Sequence, residues 1–402
     1  MDDGQFAQLA GWIAKAGLAG HSETAMVSGF CERIVALGVP LASASVLIDT
    51  LHPIYEGRLF SWQAASGQTT LTEYGRSDQG EAAERWRRSP FYRLIQSGEK
   101  LLRRRLTPDN ESEFPVFVDL RAAGLTEYLA IINRFGADGI IGDMDCVYSH
   151  WLTSAPAGFR DEDVADLLRL MPTLALAVKS ASLARIAGTL VETYLGRDAG
   201  RRVLGGRIAR AVADRIEAVL WFSDLRDYTR ITAAADPEQI IPLLNDYADA
   251  VISAIHAQNG DVLKLMGDGT LAIFTAADRR EACRAALAAV GAARIGIAAL
   301  NRRRAAEGLP VTDMYLGLHV GEVYYGNIGS KYRLDFPVVG PAVNEVSRIA
   351  ALCRSVDQPV LMSSAFAEAV GAATGRLVSV GRYALRGVGR AQDLFTLDPE
   401  PR

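Results

Sequence analysis

Apolar residues recur at helical spacing from Gln5 to Ala16 and from Glu23 to Leu37, which predicts two opening helices. Short strand-like runs follow at Ala44–Ile48, Arg58–Gln63, Tyr128–Asn133 and Ile141–Tyr148. Phe159-Arg160-Asp161-Glu162-Asp163 then opens a long helix, with carboxylates in the first turn where the helix dipole favours them. Helices, then a sheet, then a closing helix predict an α+β module over residues 1–183.

Residues 184–216 read as a helical linker, well placed to dimerise. Gly196, Gly200 and Gly205-Gly206 argue for two helices with a hinge over one unbroken rod. From residue 217 the pattern sharpens. Ala218–Phe222 is a buried strand ending at Asp224. Asp236-Pro237-Glu238-Gln239 starts a helix, with Asp as N-cap and Pro at the first helical position, and Asn259-Gly260 ends it. Strands Val262–Met266 and Thr270–Phe274 flank Gly267-Asp268-Gly269, a hairpin signal. A second helix spans about Arg280–Arg304, and strand Met314–His319 follows. The order is βαββαβ, a ferredoxin-like arrangement. Right-handed crossover then places the third strand antiparallel between the first two. The end of strand one, with Asp224, comes to the same edge as the hairpin carrying Asp268.

Composition narrows the classes. Hydrophobic residues make up 49% and charged residues 22% of 402, ordinary for a globular chain of two domains. A net charge of −4 gives no basic field for nucleic acid. Arg85-Trp86-Arg87-Arg88 and Arg103-Arg104-Arg105 read as solvated faces beside Glu81, Glu84 and Glu99. Cys31, Cys146, Cys283 and Cys353 form no CxxC pair, and the five histidines are scattered, so reduced thiols of a cytoplasmic protein are expected and a zinc site is not. Asp2 and Asp3 do not suit a signal peptide. No stretch reads as a clean membrane span; Ala285–Leu300, the nearest, contains Arg294.

The candidate chemistry lies in the last third. Two carboxylates 4 Å apart repel by about 4 kcal/mol at an effective dielectric near 20, so the pair calls for a proton or cations. Oxygen ligands with room for phosphate suit Mg²⁺ or Mn²⁺. Taken singly, Asp268 also fits a turn residue and Asp224 an N-cap. Backbone N–H groups from Leu225 to Thr229 could cradle phosphate. Asn344 and Arg348 are four apart on a helix predicted from Ala342, so they share a face, as would a solvated polar pair. Alternation sets Lys264 on the face opposite Leu263 and Leu265, where it could read a base or guard a sheet edge. His319 ends a core strand and reads as a packed residue.

Phe222-Ser223-Asp224-Leu225-Arg226-Asp227-Tyr228-Thr229 and Lys264-Leu265-Met266-Gly267-Asp268-Gly269 resemble the metal-binding segments of class III nucleotidyl cyclases. Gly317–Val323, Gly326-Asn327-Ile328-Gly329 and Val339–Arg348 are similar to the glycine-rich and transition-state segments of that family. The resemblance covers roughly 217–396 of a domain read as 217–402 and implies these roles. Asp224 and Asp268 hold two Mg²⁺ or Mn²⁺ ions. Lys264 reads the base, and the site uses Leu225 and Thr229 for phosphate. Asn344 orients the ribose, Arg348 meets charge on the α-phosphoryl group, and Arg386 grips the terminal phosphates. A lysine here suits ATP, because adenine N1 is an acceptor. Pro337 stands where the family has an Asp or Thr for the adenine amino group; a main-chain carbonyl near Phe336–Pro337 is the substitute expected.

The resemblance also implies a head-to-tail homodimer, with the metal pair from one subunit and Asn344 and Arg348 from the other. The expected activity is ATP to 3′,5′-cyclic AMP and pyrophosphate. Alternatives are a catalytically weak nucleotide-binding homologue, or a cyclase acting on CTP or GTP. Residues 1–183 are similar to a GAF domain, chiefly through the start of the closing helix, which implies a sensor for a small-molecule or protein signal.

Overall fold

The computed structural model describes residues 1–371 and 377–398. The expected last residues of the second domain, 399–402, lie outside the described residues. The chain divides into two compact units, Met1–Leu190 and Val191–Arg402.

The first unit opens with α1 (Asp3–Leu18) and α2 (Glu23–Ala36). Asp2 caps α1 by accepting from Gln5 N–H while the Gln5 side chain accepts from Asp2 N–H. Then come β1 (Ser43–Asp49), β2 (Gly57–Gln63), β3 (Gln68–Tyr74), α3 (Gly80–Arg87), α4 (Pro90–Ser97), β4 (Leu101–Arg105), α5 (Val116–Ala122), β5 (Glu127–Arg134) and β6 (Cys146–Thr153). The sheet is antiparallel in the order β3-β2-β1-β6-β5-β4. Its strands bury both faces. Val46 and Ile48 join Leu9, Phe30 and Leu170 in one core, whereas Tyr128, Ile132 and Tyr148 join Phe91, Leu94 and Phe117 in the other. Strands β3 and β4 and helices α3 to α5 are additional to the elements expected from the sequence. The strand expected at 141–148 begins at Cys146 instead.

The β4 arginines correct the solvated-face reading. Arg103 binds Glu127 at 2.9 Å and Asp161 at 2.6 Å, and Arg104 binds Glu113 at 2.8 Å. Arg105 donates to the Pro156 carbonyl at 2.6 Å. Glu127 is buried and accepts from Phe159 N–H, so these pairs fasten the chain entering the next helix, α6 (Asp161–Leu195).

Gly196 (φ 88°) breaks the helix before α7 (Arg197–Leu204). A side chain at Gly196 would run into the Val262 carbonyl. The N–H groups of Arg197 and Asp198 both donate to the buried carboxylate of Asp261, at 3.1 and 3.2 Å. Residues 205–216, expected as helical linker, are not helical. Ala213–Ile216 already belong to β7 (Ala213–Leu225), paired with Val323–Gly326.

The second unit continues with α8 (Tyr228–Ala234), α9 (Pro237–Ala257), β8 (Asp261–Met266), β9 (Gly269–Phe274), α10 (Arg279–Ala306) and β10 (Met314–Gly326). Short strands β11 (Ile328–Gly329), β12 (Leu334–Asp335) and β13 (Val338–Val339) precede α11 (Pro341–Leu352), β14 (Val360–Ser363), α12 (Ser364–Val370), β15 (Leu377–Tyr383) and β16 (Gln392–Leu397). The main sheet runs β15-β16-β14-β10-β7-β9-β8. Strand β9 lies antiparallel between β7 and β8, so the ferredoxin-like βαββαβ core is present. Period two is clean on β7: Val219 and Trp221 face α9 and α10, while Ala218 and Leu220 face α7 and α11.

Two helices, α6 and α10, are long and apolar enough by length and composition to cross a membrane, contrary to the reading that no stretch is. Their apolar stripes are occupied within the units. On α10 these are Ala282, Ala286, Ala289, Val290, Ala293 and Ile297.

Candidate active site

Central strand β7 delivers Asp224 beside Tyr315 of β10, and on the same strand Trp221 donates to Ser223 Oγ at 2.9 Å. Hairpin β8–β9 delivers Asp268. Its two-residue turn has positive φ at Gly267 (66°), the II′ requirement that glycine meets without strain. Asp268 stands close enough to act on Asp224. Loss of hydration, followed by the Asp268 carboxyl and its charge, pushes Asp224 up to about 6, against the opposing Leu225 N–H and Arg354. Gly269 leaves room here, since a Cβ would stand 3.2 Å from the Ser223 carbonyl. The cleft holds about 190 Å³ and is closed by Leu244, Asn245 and Tyr247 of α9. That is below the roughly 300–1,000 Å³ of small-molecule sites, so a whole nucleotide needs more wall than this supplies.

The Leu225 N–H opposes the rise on Asp224, and Arg226 N–H goes to the Asp313 carbonyl at 2.8 Å. Thr229 is exposed in the first turn of α8. Lys264 lies on the edge strand. The alternation expected around it fails, because a bulge between Val262 and Lys264 shifts the register, and Lys264 and Leu265 are both exposed. Lys264 Nζ sits 3.1 Å from Asp335 Oδ2 on β12. Sequence reasoning missed Asp335, although a carboxylate two residues before Pro337 was the available signal. The Pro337 carbonyl, the expected substitute acceptor, takes the Gly326 N–H at 3.4 Å.

Asn344 and Arg348 lie one turn apart on α11, both exposed. With Arg386 they line a separate open cleft of about 880 Å³. Among the described residues no ion pair holds Arg348 or Arg386, so both guanidiniums are available to an anion. The cleft with Asp224 and Asp268 contains none of these three residues, and theirs contains neither carboxylate.

Helix α11 is seated by Gly317 and Gly321 of β10, where a Cβ would meet Val346 O at 2.7 Å and Ala342 Cβ at 2.8 Å. Glu345, beside Asn344, accepts from Gln392 at 2.6 Å and lies 3.6 Å from His319 Nε2. His319 Nδ1 meets Ser363 Oγ at 2.8 Å. Burial holds this imidazole below its usual pKa, with Glu345 opposing and Arg279 reinforcing. Among the described residues no group of three or more His, Cys, Asp or Glu could hold a metal ion. The Asp224–Asp268 pair fits divalent cations only with phosphate or water oxygens completing the shell.

The sequence profile of the adenylate and guanylate cyclase catalytic domain matches residues 212–397. The chain is 30% identical over 178 residues to adenylate cyclase 1 of Rhizobium meliloti (strain 1021), across 43% of this chain and 26% of that protein. It is 32% identical over 146 residues to an adenylate cyclase of Anabaena cylindrica, across 35% of this chain and 28% of that protein. The chain thus spans little more than a quarter of the length of either relative. A crystal structure of the guanylyl cyclase Cya2 aligns at 28% identity and a TM-score of 0.41, over 46% of this chain and 93% of that one. Over residues 212–397 the chain is thus similar to the catalytic domain of class III adenylyl/guanylyl cyclases.

Proposed function

We propose that two copies pair head to tail and that each composite site converts ATP to 3′,5′-cyclic AMP and pyrophosphate. The observation that carries this reading is the division of the site. Asp224, Asp268, Lys264 and Asp335 belong to one half, and Asn344, Arg348 and Arg386 to a cleft elsewhere on the same unit. A second copy supplies the missing half to each.

Asp224 and Asp268 would hold Mg²⁺ or Mn²⁺. When bound, the ions supply Lewis acidity toward the ribose 3′-hydroxyl and charge for the triphosphate. The 3′-hydroxyl gives its proton to solvent as its oxygen bonds to the α-phosphorus, the bond to the β-bridging oxygen breaks, and pyrophosphate leaves. Arg348 faces the charge that develops on the α-phosphoryl oxygens, the kind of interaction that dominates such chemistry. Asn344 orients the ribose, and Arg386 meets the terminal phosphates. Lys264 donates to adenine N1 and Asp335 accepts from the amino group, a role Pro337 has no side-chain group to fill. Cytosine offers the same acceptor and amino pattern, so CTP is the competing substrate.

The amino-terminal unit would act as a GAF-like sensor, supported by its antiparallel sheet covered on both faces. The four free, buried thiols support a cytoplasmic setting. The test is complementation. Asp224→Ala and Asn344→Ala chains are each expected to be inactive alone, and their mixture to regain up to about a quarter of wild-type cyclic AMP production, one intact site per mixed pair. A mixture that dimerises and stays inactive overturns the shared site.

A further inference from the structure

A cavity of about 550 Å³ opens in the amino-terminal unit between the sheet and helices α3 and α4. That volume is within the range of small-molecule sites. Its walls are apolar and aromatic, formed by Leu47, Trp86, Phe91 and Tyr148. The rings brace one another, with Trp86 edge-on to Tyr148 at 5.6 Å and Phe91 at 5.4 Å from Tyr148. The aromatic surface is therefore held in place before anything binds.

Two carboxylates reach the same cavity, Asp49 from β1 and Glu56 from the turn before β2. Each is held by neutral donors. The Tyr74 hydroxyl donates to Asp49 Oδ1 at 2.7 Å, and Ser77 Oγ donates to Glu56 Oε1 at 2.7 Å. Among the described residues neither carboxylate pairs with a lysine, arginine or histidine. Arg76 and Arg85 also line the cavity but do not neutralise them; Arg76 reaches Asp143 at 3.8 Å and Arg85 is exposed. Carboxyls held by neutral donors beside aromatic faces are the pairing that recognises organic cations, through ion pairing and ring quadrupoles together.

We propose that this cavity binds a small organic amine with a flat apolar body, its protonated nitrogen against Asp49 and Glu56 and its body between Trp86, Phe91 and Tyr148. Burial pushes the Asp49 carboxyl up to about 7, with the Tyr74 bond opposing and Glu56, Asp145 and Asp143 adding to the rise. A bound cation would reverse that cost.

The experiment is calorimetric titration of the full chain with tryptamine and with indole-3-propionate, which share a ring and differ in charge. Tryptamine is expected to bind with a dissociation constant at or below about 1 mM, and the anion at least about tenfold more weakly. Asp49→Asn and Glu56→Gln should each weaken tryptamine about fivefold or more while far-ultraviolet circular dichroism is unchanged. Equal or tighter binding of the anion overturns the proposal. So does the absence of tryptamine binding, or indifference of tryptamine to both substitutions in folded protein. The wild-type comparison alone decides if a variant misfolds. The readout is heat of binding, so the result is independent of cyclase turnover.

Discussion

Asp224 is held above the usual carboxyl range by lost hydration and by its carboxyl neighbour. Its raised value means that the folded state prefers the protonated form. That preference stabilises the fold fully below about pH 4 and is lost as pH rises through about 6. At pH 8 in chelator, Asp224→Asn should therefore melt higher than wild type by up to about 2 °C, and the two should converge near pH 4. Added Mn²⁺ should raise the wild-type melting temperature and leave the variant unmoved. Thermal unfolding scans at the two pH values, with and without Mn²⁺, check both halves. Asp335 yields a different prediction. Asp335→Ala leaves Lys264 without its carboxylate and the amino group without its acceptor, so the ratio of ATP to GTP turnover should fall about tenfold, the scale of one charge-assisted hydrogen bond, while the ratio of ATP to CTP holds because both bases carry that amino group. Turnover of the four nucleotides measures it.

At the scale of elements, the seat of α11 is the part least tolerant of change. A Cβ at Gly317 would meet the Ala350 nitrogen and the Val346 carbonyl, both at 2.7 Å, and both are backbone that cannot rotate away. Gly317→Ala should cost about 1–3 kcal/mol by urea unfolding and move Asn344 and Arg348 with the helix. Glu345→Ala should lower kcat more than KM, and Glu345→Gln should restore part of it by keeping a partner for His319 or Gln392. The sequence made much of this legible. Asp236 and Pro237 announce α9, the Gly267 turn announces the β8–β9 hairpin, and right-handed crossover brings the ends of β7 and that hairpin together. Other features left no local mark. The bulge beside Lys264 depends on how β8 pairs with β9, and so does its exposure. Asp335, two residues before Pro337, is tied to a role only once the fold brings it within 3.1 Å of Lys264. Strand β3 is mostly exposed and β4 is built from three arginines after two leucines, so hydrophobic alternation is weak in both.

For the molecule as a whole, the start of the catalytic unit matters to any attempt to isolate it. A truncation beginning at Glu217 removes four residues of β7 paired with β10, and with them α7, whose Ala199 is buried against Leu220 and Tyr325. Such a fragment should be poorly soluble or melt well below one beginning at Val191, which keeps both. Differential scanning calorimetry of the two fragments makes the comparison. Comparing the Val191 fragment with the full chain then reports whether the first unit alters turnover, and in which direction. The clasp at Gly196 gives that comparison its mechanical sense. Asp261 grips the first two amides of α7 and is also the first residue of the strand that goes on to present Lys264 and, round the next bend, Asp268. Tension applied to the chain at residue 196 is thus delivered to the strand beneath the proposed base and cation subsites, with no intervening loop to absorb it.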